Sequence, residues 1–313
     1  MSMPSLLRRW LVVVLASVAI VTVALTGVSA DSQGTDKSIF VAVEDASSGK
    51  PVTDLKLSEF ALREDNVNRE ITSVKPASQP LYLYILADTS RQAGNTGMMG
   101  KDSASGGTEL IRDIRNSLTS AVKSLYATTP DTQTAVMEFG QAAITITKFT
   151  NNLPDIEKGI NKLYPKPQAG SVILEALIEA SKNLAKAPST RRAILAVNIE
   201  PGEEESRQEA NAIRDALRAS GGSLWSVSLQ NGPARNPTRD IVLNNLTQWT
   251  GGHREFLMGP SAIQNMLAKY VTLLAAQYEV TYKRPASSSQ VNVVQVGSTR
   301  PNVKVHASAF PPK

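Results

Sequence analysis

The sequence predicts an α/β protein: a doubly wound, mostly parallel sheet, with a small β unit before it in the chain and another after it. Three observations predict this. Leu81 to Ala87 is a run of seven apolar or aromatic residues. It is too short for a globular helix and lacks the alternation of a half-wet strand, so it reads as a strand buried on both faces. Ala193 to Ile199 and Ser223 to Leu229 follow as strands separated by helical patterns. That rhythm implies βα units, a parallel sheet and right-handed crossovers. Towards both ends, over residues 37–75 and 277–308, the pattern changes to short alternating strands.

The first thirty residues stand apart from the rest. Arg8 and Arg9 precede an apolar stretch from Leu11 to Leu25, and Gly27-Val28-Ser29-Ala30 supplies small residues suited to signal peptidase. Residues 1–30 therefore read as a cleaved signal peptide or, because Leu11 to Gly27 is near the short limit for a span, as a signal anchor. Both export the remaining chain, as a secreted or periplasmic protein or one held to the membrane by its N-terminus. The 313 residues are 42% hydrophobic and 19% charged, which suits one large domain with smaller units and argues against disorder throughout. The absence of cysteine excludes a disulfide framework, a thiolate zinc site and a lipid-modified cysteine. A net charge of +5 is spread over scattered Lys and Arg rarely interleaved with aromatics, which does not make a nucleic-acid footprint.

In residues 37–75, Ile39, Val41 and Val43 alternate, Ser48-Gly49-Lys50-Pro51 makes a turn, and Phe60 to Arg63 leads to a turn at Glu64-Asp65-Asn66. This unit of about four strands could bury little apolar surface alone, so it should lean on the larger domain or on a partner. Pro76 to Pro80 is the linker, and the central domain runs over residues 81–276. Arg91 to Gly107 is rich in Gly, Ser, Met and Asn and reads as a functional or disordered loop. Its Met98-Met99 pair is suited either to a partner or to plain loop packing.

Thr108 is a candidate N-cap for a helix that buries Leu110, Ile111, Ile114, Leu118, Val122 and Leu125. Strands over Gln133 to Phe139 and Ala143 to Phe149 come next, followed by a helix from Pro154 to Leu163. Gly170-Ser171 opens a helix with Leu174, Leu177, Ile178 and Leu184 inward, ended by Pro188. After the strand at Ala193, Glu203-Glu204-Glu205 would occupy the first turn of a helix stopped by Gly221-Gly222, where acids suit the helix dipole. Thr238 to Thr250 reads as a helix, Gly251 to Phe256 as a short edge strand, and Ser261 to Ala276 as a helix. From Gln277, Tyr278, Val280 and Tyr282 alternate, and Val291 to Val296 and Val303 to Val305 are further strands. This extension is free to pack on the N-terminal β unit.

In an open α/β sheet, ligands bind beyond the carboxyl ends of the strands, so Asp88 and Ser90 at the tip of the first buried strand are candidate functional residues. Together with Gly170-Ser171-Val172-Ile173-Leu174-Glu175-Ala176-Leu177 and Ala193 to Ile199, the stretch Leu81 to Ser90 resembles a von Willebrand factor type A domain. More narrowly, Gly49 to Leu55, Glu59-Phe60, Asp65 and Gln277 to Tyr282 around that core resemble the exported bacterial VWFA-related proteins first named from acidobacteria. The likeness spans Ile39 to Ala307. It implies a doubly wound sheet with a metal-ion-dependent adhesion site of Asp-x-Ser-x-Ser, a helix-opening Thr and a later Asp. There Mg²⁺ would be held by oxygen ligands, with one position left for a partner's carboxylate.

Carried onto this chain, the metal ligands are Asp88, Ser90 and Ser171. Gln92 stands where the second Ser belongs, Ser171 where the Thr belongs, and Asn198, Ile199 and Glu200 lie near the place of the last Asp. The resemblance thus implies a degenerate adhesion site in a non-enzymatic protein-binding or scaffold module. Its cofactor would be Mg²⁺ or none, and its partner another protein rather than nucleic acid. The alternatives are that Asp88 and Ser90 bond loop amides while Ser171 caps its helix, in a metal-free structural component of an envelope assembly, or that the chain is an exported hydrolase. A hydrolase would need a supported base, and His253 and His306 stand in no catalytic motif. Trp225 and Trp249 read as core residues.

Overall fold

A computed structural model describes residues 34–94, 106–200, 204–230, 236–286 and 290–312. In chain order its elements are β1 (Thr35–Asp45), β2 (Phe60–Glu64), β3 (Val67–Asn68), β4 (Ile71–Pro76), β5 (Tyr82–Ala87), α1 (Arg91–Gly94), α2 (Gly106–Thr128), β6 (Gln133–Phe139) and β7 (Ala143–Thr150). There follow α3 (Leu153–Asn161), α4 (Ile173–Ala185), β8 (Arg192–Glu200), α5 (Ala210–Ser220), β9 (Ser223–Gln230) and α6 (Pro237–Trp249). The chain continues with β10 (Arg254–Leu257), α7 (Ile263–Ala275), β11 (Tyr278–Arg284), β12 (Val294–Ser298) and β13 (Val303–Ala307). Apart from the end residues Thr35 and Arg284, these elements lie in one compact unit, Asp36–Lys283 with Gln290–Lys313. Residues 1–30, expected to be a signal peptide or anchor, and Met98-Met99 lie outside the described residues. No helix among the described residues is long and apolar enough to cross a membrane.

The central sheet has the order β10-β9-β8-β5-β6-β7. All its pairs are parallel except β6 with β7. The chain starts in the middle, winds outward to β7, returns to β8 beside β5 and winds out to β10. The reversal falls between β5 and β8, the position where a doubly wound sheet opens its crevice.

Period-two geometry divides β5 between two cores. Leu83, Ile85 and Ala87 pack with Ile111, Ile114 and Leu118 of α2 and Leu267 and Leu274 of α7. Tyr84 and Leu86 pack on the other face with Leu174 and Leu177 of α4, Leu217 of α5 and Leu246 of α6. Burying such side chains contributes about 1.5–3 kcal/mol each, so both helix layers are tied to this strand.

The two β units fold together. One sheet has the order β13-β1-β11-β4 and the other β12-β2-β3, so each interleaves strands from both ends of the chain. They share a core of Ile39, Val41, Val43, Phe60, Leu62, Tyr278, Val280, Tyr282 and Val294. Neither unit could have closed this core alone, because half of it comes from the other. The hairpin between β2 and β3 turns at Asp65 (φ 46°) and Asn66 (φ 66°), residue types that tolerate the left-handed conformation a tight hairpin requires.

At the junction with the central sheet, Arg191 is buried. Its guanidinium donates to the carbonyls of Ala77 (3.3 Å), Gln79 (3.2 Å), Leu274 and Ala275 (3.1 Å) and to Oε1 of Gln277 (3.0 Å). One side chain thus satisfies the otherwise orphaned carbonyls at the end of α7 and in the linker after β4.

Several local expectations need correction. The helix expected from Thr108 begins at Gly106, and the one expected from Gly170-Ser171 begins at Ile173. Ser171 caps nothing: the N-cap of α4 is Val172, without a side-chain hydrogen bond. The acids expected in the first turn of α5 precede that helix, whose first residue is Ala210, so the helix dipole does not explain Glu204 and Glu205. Trp225 is fully buried, but Trp249 is 49% exposed. It closes α6 and stacks edge-on with Phe310 at 6.1 Å instead of entering the core.

Candidate functional site

Asp88 follows β5 directly and is fully buried. Its backbone N–H donates to the Val197 carbonyl (2.9 Å), continuing the β5–β8 ladder by one residue. Its carboxylate then joins the two strand tips: Oδ1 accepts from the Ser90 amide (2.9 Å) and Oδ2 from the Ile199 amide (3.0 Å). Side-chain acceptance two residues ahead is the usual use of Asp at a turn, and here it also reaches across to the neighbouring strand. The Thr89 carbonyl accepts from the Lys166 amide (2.7 Å), and the Arg91 amide donates to the Ala169 carbonyl (2.7 Å). The segment before α4 is thereby laid against the β5 tip. Gln92 falls within α1.

Ser171, also fully buried, forms a parallel β-bridge with Glu204, and its carbonyl accepts from the Glu205 amide (2.7 Å). The loop before α5 is further secured over the start of α4. The Leu174 amide donates to the Ser206 hydroxyl (3.2 Å), and the Arg207 amide donates to Glu175 Oε1 (2.8 Å). Gly170 leaves room for this approach, since a Cβ there would fall on the Glu205 side chain. The sequence-predicted residues Asp88, Ser90 and Ser171 thus share the crevice at the switch point, and Glu204 joins them as a residue no motif had marked.

Alternation along β8 sends Ile199 into the core beneath α2 and α7 and turns Asn198 and Glu200 to the opposite face. Glu200, the acid nearest the last position of the family pattern, is fully buried and engaged. Its Oε1 accepts from Asn198 Nδ2 (2.7 Å) and from Arg254, and its Oε2 lies 3.7 Å from Nη2 of Arg239. Arg254 also binds Asp240 (3.0 Å), the Ser228 hydroxyl (2.9 Å) and Asn244 Oδ1 (2.9 Å).

Arg239 has no exposed surface at all. Sequence reasoning missed both arginines. In the linear pattern, Arg239 is one polar residue in the first turn of a helix and Arg254 one charge beside a histidine.

Burial pushes the Asp88 carboxyl up from its ordinary range, opposed by the Ser90 hydroxyl, the Ser90 and Ile199 amides and the charge of Arg239. The Ser90 hydroxyl lies against Asp88 but forms no hydrogen bond of good geometry. Burial likewise raises Glu204 to about 7, with Ser206 and Arg239 opposing the rise and Asp88 adding to it. The hydroxyls of Thr89 and Ser171, Oδ1 of Asn198 and Oε2 of Glu204 are buried without a hydrogen-bond partner among the described residues.

The histidines lie elsewhere. His253 precedes β10 and His306 stacks on Trp225 near the start of β9, so both sit at the amino edge of the sheet, opposite Asp88. His253 faces Glu255 (3.2 Å) and His306 faces Glu44 (3.5 Å). A cavity of about 370 Å³ at the same edge, beside Arg192, Arg218 and Phe310, is lined by none of Asp88, Ser90 and Ser171.

No protein-family model matches the sequence, and no curated protein matches it. Solved structures do. A von Willebrand factor type A protein from Catenulispora acidiphila is 10% identical at a TM-score of 0.46, over 90% of this chain and 75% of that one. BatB from Bacteroides thetaiotaomicron is 12% identical at a TM-score of 0.44, over 62% of this chain and 98% of that one. Proximal thread matrix protein 1 from the mussel byssus is 15% identical at a TM-score of 0.49, over 65% of this chain and 50% of that one. This chain thus spans half of the mussel protein's length.

The fold is von Willebrand factor A-like. Identities this low speak to fold alone. The crevice between β5 and β8 lies at the switch point of the sheet, and function has to be argued from its residues.

Proposed function

We propose that the chain is an exported, non-enzymatic protein-binding or scaffold module of the von Willebrand factor A type, with a degenerate adhesion site that works without a resident metal. The observation that carries this reading is the state of Asp88. It is fully buried, and both its oxygens already accept main-chain N–H groups from the tips of β5 and β8.

The remaining donors do not fit a divalent cation. Glu200, the acid nearest the place of the family's last Asp, is held by Arg254 and Arg239. A fully buried guanidinium in the same charge cluster would repel an incoming ion. Mg²⁺ also demands near-octahedral oxygen geometry, and both Asp88 oxygens are turned to the Ser90 and Ile199 amides. The amino-edge position of both histidines supports a non-enzymatic reading, since neither can serve a nucleophile in the crevice. Export is supported by Arg8-Arg9, the apolar run and Gly27 to Ala30.

The test is a thermal melt of the exported chain after chelation, alone and with Mg²⁺, Mn²⁺ or Ca²⁺, in the natural sequence and in Asp88→Asn. A ligand specific to the folded state adds about 2.7 kcal/mol at a hundredfold excess over its dissociation constant, so binding would be plain. The expected result is no shift with any cation. A cation-dependent rise that disappears in Asp88→Asn would overturn the metal-free reading. Export is checked by fusing a reporter that is active only outside the cytoplasm; an inactive fusion would contradict it.

A further inference from the structure

We infer that Arg239 is the resident cation of this crevice, its guanidinium supplying from within the chain the positive charge that a bound divalent ion supplies in a metal-dependent adhesion site. This rests on the metal-free reading above and gives it a cause.

The position of Arg239 has no explanation within its own helix. It is the third residue of α6, its amide donating to the N-cap Asn236 (2.8 Å). Cations are disfavoured at helix N-termini, where the macrodipole is positive. The next residue, Asp240, carries the sign that suits this end, and it is bound by Arg254. An arginine that is fully buried has also left water, which is tolerated only where acids compensate it.

Those acids are in the crevice. Glu200 Oε2 is 3.7 Å from Nη2 of Arg239, and the same guanidinium favours the charged forms of Asp88 and Glu204. Arg254 already serves the other oxygen of Glu200 together with Asp240, Ser228 and Asn244. It is therefore spent on the β9–β10 side of the cluster, and Arg239 is the cation on the β5 side. Remove it, and Glu200 keeps only Arg254, which is held mostly by other partners, while Asp88 and Glu204 lose the cation that acts on both. The acids would then be left in the interior without their cation, with the unpartnered Ser171 hydroxyl on the residue bridged to Glu204 and the unpartnered Asn198 oxygen on the residue bound to Glu200, oxygen chemistry that attracts a hard cation.

The experiment compares melts of the full exported chain, chelated and then supplied with Mg²⁺ or Mn²⁺, for the natural sequence, Arg239→Lys, Arg239→Gln and Arg239→Gln combined with Asp88→Asn. The natural sequence and Arg239→Lys stay insensitive to cations. Arg239→Gln melts lower in chelator, recovers a large part of that loss with saturable dependence on Mn²⁺ or Mg²⁺, and loses the recovery when Asp88→Asn is added. Should Arg239→Gln not fold in chelator, refolding from urea with Mn²⁺ present decides: recovery supports the inference, and none overturns it. An Arg239→Gln protein that folds yet ignores every cation also overturns it, leaving Arg239 as a local partner of Glu200. A cation response in the natural sequence is a separate outcome, which removes the metal-free reading itself and this inference with it.

Discussion

Replacing Glu204 by Gln is expected to stabilise the protein at neutral and alkaline pH and to leave it unchanged in acid. Burial raises the Glu204 carboxyl from 4.5 to about 7. Below about pH 4.5 the group is protonated in both the folded and the unfolded chain and contributes no pH dependence. Between that pH and about 7 the unfolded chain loses its proton while the folded chain keeps it. The unfolded state then binds fewer protons, so folding stability falls as pH rises through this window, and above it the loss is complete.

At about 1.36 kcal/mol per tenfold, the gap corresponds to a penalty of roughly 3 kcal/mol as an upper figure. Gln keeps a carbonyl that can accept from the Ser206 amide, now at 3.3 Å from Glu204 Oε1, and carries no charge into the pocket. Urea unfolding of both proteins across this pH range measures the difference directly. The gain of Glu204→Gln should be near zero at about pH 4 and grow to between one and three kcal/mol at about pH 8. A variant no more stable than the natural sequence at high pH, or a gain that is the same at every pH, would refute the reasoning and place Glu204 in water.

Three further outcomes follow from the framework around the site. Gly251 has φ +74°, and a Cβ there would fall on the Ala307 carbonyl where the C-terminal strand crosses. Gly251→Ala should therefore cost at least about 2 kcal/mol in urea unfolding, and a neutral result would show that the crossing is loose. Arg191→Ala strands four carbonyls and the Gln277 amide oxygen in the interior. A loss of at least about 2–3 kcal/mol is expected in the same assay, since a stranded buried acceptor costs about 1–3 kcal/mol, and Arg191→Lys should fail to restore it because one ammonium cannot span those acceptors. Tyr282→Phe removes the hydroxyl that donates to the buried Glu64 (2.6 Å). A cost of about 1.5–3 kcal/mol in thermal melts is expected, and no change would mean that Arg69 alone satisfies the carboxylate.

The parts of the fold that read clearly from the sequence are those governed by local period. Leu81 to Ala87 is apolar at every position because both faces are covered, and β5 is the central strand for that reason. Asp88 and Ser90 could be placed because the carboxyl ends of parallel strands are set by chain order, and Ser171 through the family resemblance alone. The interleaving of the two β units was left open, since strand pairing across more than two hundred residues leaves no local trace; Val41 pairs with Ala307. Trp249 was misplaced because apolarity says nothing of whether a helix end meets a core or only Phe310.

The missed residues of the site share one cause. Arg239, Arg254 and Glu204 are charged residues in polar stretches, which a sequence presents as solvated. Only the tertiary path of α6, β10 and the loop before α5 carries them inside. Glu200 is the converse case. The resemblance pointed to it as the nearest acid, and the structure shows it committed to Arg254.

The most direct measurement is a crystal structure of residues 31–313 grown with Mn²⁺, using the anomalous signal of the metal. The metal-free crevice predicts no anomalous peak between Asp88, Ser90 and Ser171, with the Arg239 guanidinium in place beside Glu200. A peak ligated by those three residues, with Arg239 displaced from Glu200, would contradict it.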